Sequence, residues 1–282
     1  MRRAPGQSLR LGVSAHAVSL VRVGRWRWAG AGRTPTLLAE HAFSPAGAAP
    51  PDAIAGALRE MLGRVPGAAL AGWPLDIVLA DELTRLWQVA PPQGATRLSD
   101  IEAAAALRFQ TLYGESPSAW RLMAEWDSRY PFFAAAAPRA LLAALEQVAA
   151  EHKLAIVGIA PHFVGAWNRW RGGLKAGAWF GLAHDNLLTL GALQDKRLRA
   201  VRALAVPHGA DHYWITQMLT REALLLGLDA PSLLQLCGTV PAAWTAPPSN
   251  AAHIACVALE PAPALDADWS SIASLARGGS GA

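Results

Sequence analysis

The chemistry-bearing side chains of this chain fall into a few short stretches. His208, Asp211 and His212, in HGADH, have the residue types of a zinc site, since two imidazoles four apart share one face of a helix. The stretch opens a predicted helix and has no glutamate in the general-base position, so helix capping by Asp211 and surface histidines is the favoured reading. Asp81 and Glu82 are adjacent, so on a strand they face opposite sides, and they read as caps on a neighbouring subdomain rather than an acid/base pair. Cys237 and Cys256 form no CxxC pair; both lie in apolar runs, as buried reduced thiols do, which suits a reducing cytoplasm. Arg22, Arg25 and Arg27 alternate with Trp26 and Trp28, a pattern able to stack on nucleic acid. A solvated hairpin with arginine stems over apolar surface is the favoured reading, and nucleic acid is not the expected partner. No G-x-S-x-G, P-loop or G-x-G-x-x-G occurs, so no catalytic residue, cofactor or metal site is expected from motif alone.

The background to these stretches is an ordinary folded chain. It has 282 residues, 52% of them hydrophobic and only 16% charged, which excludes a disordered chain. Its net charge of +4 is weakly basic. The segment from Met1 to Val23 has no unbroken apolar core like that of a signal peptide, because Ser14 and His16 interrupt it. No run of 18 apolar residues is present, so no membrane span is expected.

The hydrophobic pattern then gives an order of elements. Leu9 to Val23 (LRLGVSAHAVSLVRV) reads as a strand, continued by Arg25 to Trp28 after a turn at Gly24, and Leu37 to Phe43 reads as the next strand. Pro50, Pro51 and Asp52 open a helix to about Leu62 with Ile54, Leu58, Met61 and Leu62 on one face, and Leu75 to Leu79 is a short buried strand. Arg85 to Val89 is a possible strand, Ser99 caps a helix over 100–113 that Gly114 ends, and Trp120 to Trp126 and Tyr130 to Ala137 are strands. Pro138 starts a helix to about His152, and Leu154 to Ile159 is a buried strand. Ala178 to Leu182, Leu187 to Leu193 and Leu198 to Val206 are strands, the last two joined by a turn at Gln194, Asp195 and Lys196. Helix 210–226, strand 233–236 and strand 254–259 follow. The first and last thirds both read β-β-β-α-β, an internal repeat, with strand-helix-strand-strand inserted in the first.

That duplicated order resembles the actin-like ATPase (ribonuclease H-like) fold, an α/β architecture of two lobes. More narrowly it resembles the type IV pilus assembly protein PilM and the cytoplasmic region of the type II secretion protein GspL. The residues that carry the resemblance are LGVSAHAVSLVRV at 11–23, the LPxEL-like VLADELTRLWQV at 78–89, LSDIEAAAALRFQ at 98–110, LAIVGIAPHFVGAW at 154–167 and WFGLAHDNLLTLGALQDKRLRAVRAL at 179–204. The resemblance implies a first lobe over 1–165 with an insert over about 83–153, a second lobe over 166–262 and a partly disordered tail over 263–282. A sugar-kinase-like or FtsA-like protein is the runner-up within the superfamily.

An active member of that superfamily holds nucleotide between two hairpins that each open with an Asp-x-Gly turn. In the first hairpin here, GVSAHAVS, Ser14 stands for the aspartate and His16 for the glycine. In the second, WFGLAHDN, Phe180 and Leu182 stand there, with Gly181 or Asp185 reached only by shifting register. A hydroxyl does not replace a carboxylate on Mg²⁺, and an imidazole at position 16 crowds a phosphate loop. The resemblance therefore implies a pseudo-ATPase that needs no ATP or Mg²⁺. It would be a cytoplasmic scaffold at the inner membrane, binding the cytoplasmic tail of a pilus or secretion assembly protein, with a secretion motor ATPase as a further partner. No following transmembrane helix is expected, which resembles PilM more than full-length GspL. A divergent ATPase is the alternative, and a nucleic-acid-associated protein the second. The insert is the expected partner surface, with Leu86, Trp87, Phe109, Trp120 and Trp126 as anchors unless these aromatics fill a core.

Overall fold

In the computed structural model the described residues are 6–24, 35–44, 51–65, 70–195, 197–246, 254–259 and 271–278, with side chains described for 273–276 of the last stretch. The Arg25–Trp28 continuation, Lys196 of the predicted turn and the final residues 279–282 lie outside them.

The first lobe is built on a five-stranded sheet of β1 (Gln7–Val13), β2 (Ala17–Gly24), β3 (Thr36–Ala42), β4 (Pro74–Leu79) and β8 (Ala155–Pro161), in the order β3-β2-β1-β4-β8. The first three strands are an antiparallel meander, and β4 and β8 extend it in parallel. Helices α1 (Pro51–Arg64) and α3 (Arg139–Glu151) cover one face. Ile54, Leu58, Met61 and Leu62 of α1 pack on Leu9, Leu11, Leu20 and Ile77. The second lobe repeats the plan: β9 (Ala178–His184), β10 (Leu187–Gln194), β11 (Arg197–Ala205), β12 (Leu233–Gly238) and β13 (Ala255–Ala258) lie in the order β11-β10-β9-β12-β13. Helix α5 (His212–Leu226) buries Ile215, Leu219 and Ala223 against Trp179, Leu190 and Leu234 of that sheet. The expected duplication is therefore present in strand order and in strand direction.

The stretch Leu9–Val23 is not one strand, as its sequence suggested, but two. Seven consecutive residue pairs, Gln7↔Gly24 through Val13↔Val18, join β1 to β2 around a turn at Ser14–His16. Nearly every residue of both strands is buried, so the two-residue alternation that separates one strand from the next is weak. The turn itself carries no glycine, proline, asparagine or aspartate.

Between β4 and β8 the chain forms the insert: β5 (Arg85–Val89), α2 (Leu98–Tyr113), β6 (Trp120–Ala124) and β7 (Phe132–Pro138), with sheet order β5-β7-β6. This is the strand-helix-strand-strand unit read from sequence. Arg97, not Ser99, occupies the N-cap of α2 and makes no side-chain cap bond, while Gly114 closes the helix in a left-handed conformation as expected.

Two further elements tie the lobes together. Helix α4 (His162–Trp170) follows β8, and its Phe163 and Ala166 are buried with Phe180, Leu182, Val201 and Cys237 of the second sheet. Leu86 and Phe133 of the insert pack on the same cluster, with β5 running beside β11. The C-terminal stretch contains α7 (Ser271–Gly278), an element the sequence pattern did not resolve. It crosses to the first sheet, where Leu275 and Ala276 are buried and pack with Val78, Ala80, Val21 and Val23. A Cβ on Gly12 would sit 2.9 Å from the Ala276 nitrogen, so the small residue in β1 permits this close approach.

Candidate functional site

The two repeated hairpins face one another across a cleft. The first turns at Ser14–Ala15–His16, between β1 and β2. The second turns at Asp185–Asn186, between paired residues His184 and Leu187. The cavity between them has a volume of about 540 Å³ and is bounded by His16, Glu82, His184, Asp185, Leu187 and Thr239.

Much of the polar capacity of this cleft is spent internally. Ser14 is buried; its hydroxyl donates to the Ala17 carbonyl at 3.2 Å and its backbone N–H to the same oxygen at 2.9 Å. The Ala15 N–H, a group that could face a phosphate, instead donates to Glu82 Oε1 at 3.1 Å. Across the cleft, His16 Nε2 lies 3.0 Å from Asp185 Oδ2. Two carboxylates and two imidazoles therefore surround the cavity, and the carboxylates oppose a polyphosphate that brings no compensating cation.

Beneath the hairpins Asp81 joins three elements. It stands on a 3-10 turn, Asp81–Leu83, that follows β4. Its Oδ1 accepts the Phe163 N–H of α4 at 3.0 Å, and its Oδ2 accepts the Thr189 hydroxyl of β10 at 2.7 Å. Burial pushes its carboxyl up to about 7, against the opposing pull of these two hydrogen bonds. Asp81 and Glu82 thus do not cap the insert. One links the lobes, and the other closes the first hairpin.

A pair of buried histidines completes the junction. The rings of His162 and His184 meet edge to face with centroids 5.5 Å apart. Desolvation, and secondarily the charge of His184, pushes His162 down to about 3, so it is neutral near pH 7.

The residues chosen from sequence fall in three places. Ser14 and His16 are in the first turn. Phe180 and Leu182 are not in the second; both lie inside β9, buried at 0% and 1% exposure. The register shift that reaches Asp185 is the one the fold adopts. Leu86, Trp87, Phe109, Trp120 and Trp126 do not form an open partner surface. Trp87, Phe109 and Trp120 are the core of the insert, with Trp87 and Trp120 5.2 and 5.5 Å from the Phe109 ring. Trp126 packs edge-on against Phe132 at 5.8 Å, and Leu86 is part of the seat between insert and second lobe. Aromatic rings supply large apolar area, and a three-stranded insert with a single helix needs that area for its own core. In HGADH, Asp211 caps α5 by accepting the Trp214 N–H at 2.9 Å, and no group of three metal-ligating side chains occurs among the described residues. Cys237 and Cys256 are buried and form no disulfide, with the Cys256 thiol pushed up to about 11 by burial. Sequence reasoning singled out Asp81 but gave it the wrong role, and it missed His162 and His184; no local motif marks what these residues do, because each acts with partners distant in the chain.

No family model and no curated protein matches the chain. Among solved structures it is similar to the cytoplasmic domain of EpsL, an inner membrane component of the type II secretion system of Vibrio cholerae. That match has a TM-score of 0.59 and 12% identity over 96% of this chain and 94% of the other. It is also similar to a Bacteroides thetaiotaomicron protein with an actin-like ATPase fold and unknown function, with a TM-score of 0.57 and 10% identity over 84% of each chain. This chain has the actin-like ATPase fold. A third similar structure is the PilM–PilN type IV pilus biogenesis complex, with a TM-score of 0.52 and 17% identity over 84% of this chain and 82% of the other. Within this fold, the cleft described above lies between the duplicated hairpins of the two lobes. No described helix is long and apolar enough to cross a membrane.

Proposed function

We propose that this actin-like chain is a non-catalytic adaptor of an inner-membrane assembly platform, of the type IV pilus or type II secretion kind. One observation carries the reading. The cleft in which an active member of the fold holds nucleotide is furnished with the chain's own acidic and histidine groups: Glu82 takes the Ala15 N–H, and His16 is paired with Asp185. Neither turn offers a glycine for close phosphate approach. The Asp81 bonds and the insert packed on the second lobe favour a fixed relation between lobes over a nucleotide-driven hinge.

The partner class comes from the similar structures, one an inner membrane component of type II secretion and one a complex of PilM with PilN. In this reading the chain sits on the cytoplasmic side of the inner membrane and receives a partner's cytoplasmic tail, with a motor ATPase as a second contact. The insert's aromatics are committed to its core, so contact falls to residues that remain outward, such as Leu107, Met123 and Tyr130 at 67, 57 and 61% exposure. Affinity capture from native cells is expected to recover an inner-membrane pilus or secretion protein. Replacing Leu107 and Met123 together by serine is expected to lower that recovery at least tenfold, about 1.4 kcal/mol, with the fold intact. Recovery of no such protein contradicts the adaptor reading.

A further inference from the structure

The cleft between the hairpins is acidic, although the chain as a whole carries a net charge of +4. Glu82 and Asp185 bound its cavity of about 540 Å³, and no lysine or arginine does so among the described residues. A cavity walled by charge of one sign focuses its field and draws in the opposite charge. Each carboxylate commits one oxygen to the protein: Glu82 Oε1 takes the Ala15 N–H, and Asp185 Oδ2 pairs with His16 Nε2 at 3.0 Å. Glu82 Oε2 and Asp185 Oδ1 accept nothing from the described residues. A second observation points to a ligand. His184 lines the same cavity with a side chain only 6% exposed, and neither ring nitrogen has an aligned hydrogen-bond partner. Its ring meets His162 edge to face, a contact that supplies no hydrogen bond, so the cavity is the side from which a partner can come.

We propose that the cleft receives an arginine side chain from the cytoplasmic segment of the inner-membrane partner, its guanidinium bridging Glu82 and Asp185. The proposal rests on the adaptor reading, which makes the partner a membrane protein. Segments on the cytoplasmic flank of a membrane span carry an excess of lysine and arginine, so the partner's tail brings the charge that the cleft lacks. Arginine suits it better than lysine: a planar fork of N–H donors serves carboxylates on two walls at once, whereas an ammonium is a point charge. Leu187, also on the wall, offers apolar surface for the arginine methylenes. The cavity lies within the size of small-ligand sites, about 300–1,000 Å³. It takes the side chain with the lobes in the fixed relation that Asp81, α4 and the insert give them. The charged contact sets the register of the tail, while the exposed apolar residues of the insert supply contact area.

The test is a nuclear magnetic resonance titration of the whole chain with the peptide acetyl-Ala-Ala-Arg-Ala-Ala-amide. Saturable shifts are expected at the Ala15 and Asn186 amides, which mark the two turns. The same peptide with citrulline, which has the shape of arginine without its charge, is expected to bind at least tenfold more weakly, about 1.4 kcal/mol. Glu82→Gln and Asp185→Asn are each expected to weaken the arginine peptide about tenfold. Each removes one charge-assisted bond and keeps an oxygen for the Ala15 N–H or for His16. Glu146→Gln, at an exposed carboxylate of α3, is the control for lost charge and is expected to leave binding unchanged. Equal binding of the arginine and citrulline peptides, or shifts that spare both turns, overturns the assignment. Spermidine binding as tightly as the arginine peptide overturns the peptide source and makes the cleft a site for free polyamines. Capture from native cells tests the adaptor reading separately: recovery of an inner-membrane pilus or secretion protein, together with no arginine binding, contradicts the cleft assignment alone.

Discussion

Gly238→Ala is expected to destabilise the second lobe by about 4 kcal/mol. The residue ends β12 at φ 86°, and a Cβ there would lie 2.1 Å from the Ala183 carbonyl oxygen and 3.2 Å from Leu182 Cδ1. Two costs combine: about 1–3 kcal/mol for holding a side chain in the left-handed region, and about 1–3 kcal/mol for forcing atoms into filled space. The obstacle is backbone, so no rotamer change relieves it. The Ala183 carbonyl also accepts the Thr239 N–H at 2.8 Å and the Thr239 hydroxyl at 3.2 Å, so the wedge displaces the bonds that set the second hairpin. Gly209→Ala is the matched control, since Gly209 has φ 76° but nothing within 4 Å of the added methyl. It is expected to cost only the conformational part, about 1 kcal/mol. Thermal denaturation separates the two: at roughly 2–4 °C per kcal/mol for a chain of this size, the midpoint falls by about 10 °C in one and by a few degrees in the other. Equal losses would show that the close approach to Ala183 is not what constrains position 238.

Asp81→Asn is expected to change how stability depends on pH. Burial raises this carboxyl from 3.8 to about 7, so over the intervening range the native state holds a proton that the unfolded state has released. Stability from this group is therefore greatest below pH 4, falls as pH rises through the window and levels off above 7. At about 1.4 kcal/mol per pH unit, the fall reaches up to about 4 kcal/mol. Asparagine cannot titrate and keeps a carbonyl oxygen for the Phe163 N–H. The expected result is a wild-type thermal midpoint that drops between pH 4.5 and 7.5 more steeply than that of Asp81→Asn. Asp81→Ala is expected to lose stability at both ends, because it strands the Phe163 N–H and the Thr189 hydroxyl at about 1–3 kcal/mol each. Parallel curves for the wild type and Asp81→Asn would mean that the carboxyl is not buried as described.

These two positions also mark what local sequence carries and what it does not. The order of elements in both lobes and the insert follows from short-range pattern. The helix over 51–64 shows its apolar stripe, and Gly114 ends α2 where the pattern stops. Local pattern alone did not divide β1 from β2 for a physical reason: the two strands are covered by α1 on one side and α7 on the other, so nearly every residue is buried, and of the turn residues only Ser14 is a turn former. The second hairpin carries the turn pair Asp185–Asn186 in plain view, and matching it to an Asp-x-Gly pattern instead drew attention to Phe180 and Leu182, which are core. The aromatics of the insert were legible as large apolar side chains, but their destination was not, since a residue's type does not say whether its neighbours are its own chain or another. Helix α7 was illegible because small residues suit both a loose tail and a tight crossing, and the partners that distinguish them, Gly12, Val21 and Val78 among them, are far away in the chain. The links Asp81–Thr189 and His16–Asp185 span more than a hundred residues each, so nothing in a local window records them.

The adaptor account depends most on the cleft having no use for nucleotide. Calorimetric titration of the purified protein with Mg-ATP tests it directly. The account predicts no heat of binding and no change in thermal midpoint at millimolar ATP, because the Ala15 N–H is held by Glu82 and the second turn by its pairing with His16. Micromolar binding would contradict it: at a hundredfold excess over Kd such a ligand stabilises by about 2.7 kcal/mol, a shift of several degrees, and the chain would then be a nucleotide-binding member of its fold.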